Sequence, residues 1–208
     1  METLLEQLSA QSFWDWLTVV ASLAYVYLAA RDNNWCWVFA AVASTVWAYQ
    51  SFVVYNLISD GMLQVFYLVM AGVGLRRWQR KPEPAPLPTD VLDAAAIRSE
   101  PAASITRMTL AEHAYVCLGG LAAGYLLHLF ASEIFAGAAT LPDGITTAFS
   151  VITTFLLINR KLENWLYWVV IDLAYVGIYL RTGAVLFAVL MVLYTGMAVY
   201  GFFRWRTQ

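Results

Sequence analysis

Lys161-Leu162-Glu163-Asn164-Trp165-Leu166-Tyr167-Trp168-Val169-Val170-Ile171-Asp172 begins with charge, turns aromatic and carries a carboxylate into an apolar run. At 100° per residue, Asn164, Trp168, Asp172, Tyr175 and Tyr179 fall within about 80° of arc, one face of a single helix. In a bilayer Asp172 would lie near the middle of that helix, where an ionised side chain costs about 2.5–3.5 kcal/mol on insertion scales. A polar residue held there is a functional candidate by default.

The rest of the chain supplies the bilayer setting. Its 208 residues are 61% hydrophobic and 12% charged, against roughly 45–50% apolar and 25% charged for a soluble domain; the mean hydropathy is +0.63. The chain reads as an all-α integral membrane protein. Apolar runs predict seven spans: Phe13–Ala30, Trp35–Ile58, Met62–Leu75, Met108–Phe130, Ile145–Ile158 (extending back toward Ala138 or tilted), Asn164–Leu180 and Ala184–Phe203. Met1–Ser12 reads as a short surface segment without the features of a signal peptide. Ser59-Asp60-Gly61 reads as a tight turn, and the run Pro82-Glu83-Pro84-Ala85-Pro86-Leu87-Pro88 as an extended linker.

Internal repetition sets the architecture. The stretch from Tyr67 to Trp78 matches that from Tyr194 to Trp205 at Tyr67, Met70, Ala71, Gly74, Arg77 and Trp78, an offset of 127. Asn34-Trp35 matches Asn164-Trp165 at an offset of 130, so one small gap would relate the halves. The expected organisation is therefore 3+1+3: a three-helix repeat over 13–79, a Pro-rich linker over 80–107, a linker helix over 108–131 and a second repeat over 138–205. Parallel repeats of this kind are a transporter signature, with the substrate near the midplane between them. Eleven basic residues (Arg31, Arg76, Arg77, Arg80, Lys81, Arg98, Arg107, Arg160, Lys161, Arg204 and Arg206) fall on one side and Arg181 alone on the other. The positive-inside rule then puts the linker and C-terminus in the cytoplasm and the N-terminus outside.

At the offset of 130, Trp168 and Asp172 face Val38 and Val42, whereas Asn164 and Tyr179 are matched by Asn34 and Tyr49. A scaffold that does without Trp168 and Asp172 in its first half leaves them free for a ligand, although a neighbouring helix satisfying the carboxylate remains the alternative. Gln64, one turn into the third span with Tyr67 on its face, needs partners or a ligand. Trp47 lies opposite Gly177 in this register, which suits a flat ring or ordinary packing. Thr147, Thr153 and Thr154 offer hydroxyls to a sugar or back to their own helix. Trp35, Trp37, Trp78, Trp165 and Trp205 are assigned mainly to interfacial belts, Asp15 to an interface position, and Cys36 and Cys117 to packing.

Several classes are excluded. The sequence has no G-x-x-x-x-G-K-[ST] loop for ATP drive and no G-x-S-x-G elbow. Lys81 and Lys161 are the two lysines, both at or outside membrane edges, so a retinal Schiff base has no site. His113 and His128 are on the order of 22 Å apart along one helix and do not resemble a metal site. No enzymatic activity, cofactor or nucleic-acid partner is expected.

The residues from Glu163 to Asp172, with Leu63-Gln64-Val65-Phe66-Tyr67 and the Gly74/Arg77-Trp78 ending, resemble the PnuC family of bacterial vitamin transporters over nearly the whole chain. The resemblance implies a SWEET-like fold, uptake of nicotinamide riboside across the inner membrane by facilitated diffusion, and retention by a cytosolic kinase acting downstream. It also points to Asn164, Trp168 and Gln64 as the groups holding the pyridine ring. One departure is Asp172, where nicotinamide riboside members often carry Asn; a carboxylate would also suit thiamin. A Glu and an Asn common in the last helix of such members are absent from Phe187–Gly201. The expected site is Asn164, Trp168, Asp172, Gln64, Trp47, Tyr67, Tyr175 and Thr147, with the ring on Trp168, hydrogen bonds from Asn164 and Gln64, and Asp172 as counter-charge. A receptor that binds without transporting is the reading from another class. A homo-oligomer is compatible with the sequence.

Overall fold

A computed structural model describes residues 4–54, 58–79, 104–134 and 140–208. Among them are eight α-helices: α1 (Leu4–Ser9), α2 (Phe13–Ala30), α3 (Cys36–Tyr49), α4 (Ile58–Gln79), α5 (Leu110–Ile134), α6 (Leu141–Ile158), α7 (Asn164–Thr182) and α8 (Val185–Arg206). A π-helical turn, Gln50–Val54, prolongs α3. Among the described residues, five stretches are long and apolar enough to cross a membrane: Phe13–Ala30, Cys36–Val54, Leu110–Glu133, Leu141–Ile158 and Val185–Arg206. α4 and α7 have comparable lengths, 22 and 19 residues, but carry Asp60, Gln64 and Arg76 in one and Asn164, Asp172 and Arg181 in the other. The expected Ser59-Asp60-Gly61 turn lies inside the first turns of α4 instead, and Met1–Ser12 contains the short helix α1. Most of the Pro-rich linker lies outside the described residues.

The helix ends follow local chemistry. Ser12 caps α2 and Thr140 caps α6, each in a reciprocal capping box, with Asp15 and Asp143 respectively three residues on. Gly183 closes α7 at φ +80°, a conformation glycine adopts without cost.

Ser12 and Thr140 are 128 residues apart, and so is every other pair of matching features up to the start of α7. Asp32 and Arg160 both take φ +50°. Around them the Asn33 N–H donates to Leu28 O as Lys161 N–H does to Leu156 O, and the Arg160 N–H to Leu157 O as Asp32 N–H does to Ala29 O. The offset of 130 expected from Asn34-Trp35 is therefore corrected to 128, which pairs Trp165 with Trp37. The cause is packing: Trp37 and Trp165 are both 2% exposed, whereas Trp35 is 64% exposed. Cβ atoms added at Gly74 and Gly201 would lie 2.5 and 2.6 Å from the Trp37 and Trp165 rings. The same indole thus lies on the same glycine in each half, α4 matching α8 at 127.

This correction moves four tryptophans from the interfacial belts to the core. Trp37 meets Trp78 edge-on at 5.2 Å, Trp78 meets Trp205 at 6.2 Å, and Trp205 meets Trp165 edge-on at 5.3 Å. The indole N–H of Trp78 donates to Ile158 O (3.1 Å) and that of Trp205 to Ala29 O (3.2 Å), so each ties its helix to the end of α6 or α2 in the other half. α2 packs on α3 and α8, α3 on α4, α5 on α6, α6 on α7 and α7 on α8, with α4 touching α6. α5 is pinned to the second half at one end by the Glu112–Lys161 ion pair (2.7 Å) and by His113 Nδ1 against the Tyr167 hydroxyl (2.8 Å).

Candidate functional site

Between the two halves lies a cavity of about 1300 Å³. Its lining runs from Gln11, Asp15, Asp143 and Leu186, at the end where α2, α6 and α8 start, to Ala29, Leu157, Trp37 and Trp165, where the tryptophan cluster begins. Ligand pockets are typically apolar with a few placed polar groups, and this one has that character.

Seven of the eight expected site residues line it: Trp168, Asp172 and Tyr175 from α7, Gln64 and Tyr67 from α4, Trp47 from α3 and Thr147 from α6. Asn164 does not. It is wholly buried at the start of α7, its amide nitrogen donates to Lys161 O at 2.6 Å, and its carbonyl oxygen is buried with no partner. In the corrected register its counterpart is Cys36, also 0% exposed and in the tryptophan layer. The periodicity argument failed for Asn164 because sharing a helix face with Asp172 does not bring a residue two turns away to the same depth. Of the threonines named from the sequence, Thr154 lines the cavity but donates back to Ser150 O (2.8 Å), and the hydroxyl of fully buried Thr153 is unpaired.

Asp172 is 6% exposed and has no hydrogen-bond or ion-pair partner among the described residues. The Tyr194 hydroxyl of α8, bonded to Ser22 of α2, is close enough to feel its charge. No cation of the described residues neutralises Asp172; the ion pairs lie at the helix ends. The group is a carboxylate without a counter-charge facing an apolar cavity, an arrangement that favours a cationic ligand.

Sequence reasoning missed a second polar group at the other end of the cavity. Asp15 is buried rather than interfacial; it accepts from Gln50 Nε2 at 2.6 Å and from the Ser12 backbone and hydroxyl. Gln50 begins the π-helical turn, which the helical period of the sequence does not reveal.

The register of 128 and 127 sorts the lining into matched and unmatched pairs. Ser22 and Ser150, Tyr67 and Tyr194, and Trp37 and Trp165 are matched. Asp172 corresponds to Ser44 in the repeat, Trp168 to Ala40, Gln64 to Met191 and Tyr175 to Trp47. Asp172 and Trp168 remain unmatched after the correction, and Gln64 joins them.

A family model described as nicotinamide mononucleotide transporter matches residues 12–207. Among solved structures the chain is similar to one described as the crystal structure of the vitamin B3 transporter PnuC, with a TM-score of 0.72 and 18% identity, covering 96% of this chain and 83% of the other. No curated protein sequence matches it significantly.

Proposed function

From the premise that the chain belongs to the nicotinamide mononucleotide transporter family, we propose that it imports nicotinamide riboside by facilitated diffusion, a cytosolic kinase retaining the product. Family and structural neighbour alike are transporters rather than enzymes, with a vitamin-type small molecule as substrate and a bilayer as setting. The observation that carries the finer reading is Asp172, the unpaired carboxylate in the cavity. A fixed positive ring offsets part of its desolvation, as no neutral ligand does. In this reading Trp168 stacks on the ring and Gln64 supplies a hydrogen bond, with Trp47, Tyr67, Tyr175 and Thr147 shaping the rest of the chamber. Asn164, buried at the start of α7 and outside the lining, does not touch the ring in this reading.

The same proposal arranges α2–α4 and α6–α8 as two parallel repeats joined by α5, the 3+1+3 plan, in a bacterial inner membrane. The basic residues at the Asp32/Arg160 end face the cytoplasm and the N-terminus faces outside. A second reading, favoured by the carboxylate in place of Asn, is thiamin. Calorimetry of the purified protein with nicotinamide riboside and thiamin side by side decides between them: tighter binding of nicotinamide riboside supports the first, tighter binding of thiamin the second. Counterflow in proteoliposomes tests transport itself, since a receptor that binds without moving its ligand shows none.

A further inference from the structure

The cavity ends at Trp37 and Trp165, and what lies beyond them is built from the two halves in register. Asp32 and Arg160 occupy equivalent positions, both at φ +50°, in the turns that follow α2 and α6. They meet across the repeat: Arg160 Nε lies 2.9 Å from Asp32 Oδ1, with the side chains 10% and 27% exposed. The Arg160 guanidinium also sits 4.3 Å over the Trp78 ring, and its backbone oxygen accepts from the Thr106 N–H at 3.0 Å. Thr106 in turn accepts from Leu162 N–H at 2.9 Å, so the segment leading into α5 holds this turn in place. Beneath lies the tryptophan layer, with Cys36 wholly buried in it.

We propose that Asp32 and Arg160 form a latch between the two halves, which holds the Trp37/Trp165 end of the cavity closed and must part for a substrate to leave there. The inference rests on the transport reading but not on the substrate's identity. Burial raises the Asp32 carboxyl above the usual carboxylate range, outweighing the lowering by Arg160. The pair therefore adds little to the stability of the fold, whereas removing one partner leaves a buried charge uncompensated in the closed state alone. A contact that is nearly neutral for folding yet costly to halve biases one conformation over another.

Native Cys36 reports on the latch. In a Cys117→Ala background it is the one thiol left, because Cys36 and Cys117 are the only cysteines. Without substrate, Asp32→Asn should speed maleimide modification of Cys36 at least about tenfold, the change expected for a bias of about 1.4 kcal/mol, while the melting temperature stays near that of the parent. The exchanged pair Asp32→Arg/Arg160→Asp should restore slow modification. Both sites already have the same backbone conformation, and Arg at 32 would face Trp205 as Arg160 faces Trp78. Modification of the Asp32→Asn chain at the parent rate overturns the latch, as does an exchanged pair that folds but stays fast. Should the exchanged pair not assemble, Asp32→Cys/Arg160→Cys in a chain carrying Cys36→Ala and Cys117→Ala is bridged with a short bifunctional thiol reagent and assayed by counterflow. Flux stopped by the bridge supports the latch, and flux through the bridged protein overturns it. Thiol modification is read without substrate, and the counterflow arm is read against the unbridged protein carrying flux, so failure of the substrate assignment is distinguished from failure of the latch.

Discussion

Replacing Asp172 by Asn changes one charge at constant shape, in a cavity where no other described side chain neutralises it. For a cationic ring about 5 Å from the carboxylate at an effective dielectric constant of about 20, the attraction is roughly 3 kcal/mol. Desolvation of the carboxylate by the ligand consumes part of it, leaving about 1.5–2 kcal/mol, or about ten- to thirtyfold in affinity. The informative assay compares two ligands of one shape: nicotinamide riboside, whose ring is cationic, and its dihydro form, whose ring is neutral. Titration calorimetry of both chains with both ligands gives a double comparison in which packing changes cancel. Asp172→Asn should weaken the cationic ligand by that factor and change the neutral one by less than about threefold, so the preference for charge collapses. Equal affinity of the two chains for the cationic ligand would refute the counter-charge role. An equal loss for both ligands would refute it too, because it would mean the substitution acts through packing.

Further outcomes follow from the same geometry. Trp168→Ala should cost about tenfold in affinity for either ring, since stacking is worth about 0.5–1.5 kcal/mol beyond area burial and does not require charge; fluorescence quenching reads it. Gly201→Ala should destabilise the protein by about 1–3 kcal/mol, because the added methyl meets a Trp165 ring that Trp205 blocks edge-on. Gly72→Ala, where a Cβ meets nothing within 4 Å, should melt at or above the parent temperature; a shared drop in both would remove the steric explanation. Gln50→Leu deletes the 2.6 Å bond to buried Asp15 and should lower stability by about 1–3 kcal/mol, which an unchanged melting curve in detergent would contradict.

The membrane class, the helical build and the likeness of the two halves were legible in the sequence because each rests on composition or on identities spread over many positions. The register was not. Asn34-Trp35 resembles Asn164-Trp165 letter for letter, yet Trp35 is exposed and Trp37 is the residue seated against glycine. Two residues of slip rotate a helix by about 200°, enough to exchange buried and exposed faces, and a dipeptide match carries no information on burial. The four core tryptophans were misassigned for a related reason: aromatic side chains near the ends of apolar runs read as interfacial belts by position. It takes the glycines at 74 and 201, a distant part of the sequence, to show that there is room for them inside. Asn164 followed the face argument correctly in angle and failed in depth.

With the register corrected, symmetry separates two tasks within one cavity. What closes its far end is duplicated: Trp37 with Trp165, Trp78 with Trp205, Gly74 with Gly201, and the pair of left-handed turns at Asp32 and Arg160. What departs from duplication lies along the walls, where Asp172 takes the place that Ser44 has in the other half, Trp168 that of Ala40 and Gln64 that of Met191. A closure made by two halves meeting needs surfaces that match across the interface, so substitution there is constrained twice. A small planar cation has no such two-fold symmetry, and a chamber that selects it must place charge, ring and amide on one side each. At Asp32/Arg160 the closing layer breaks symmetry in charge, an acid and a base standing at equivalent positions. Like charges there would repel and two neutral residues would leave the tryptophan hydrogen bonds to join the halves without an ion pair, so one acid and one base is the arrangement by which equivalent turns attract each other.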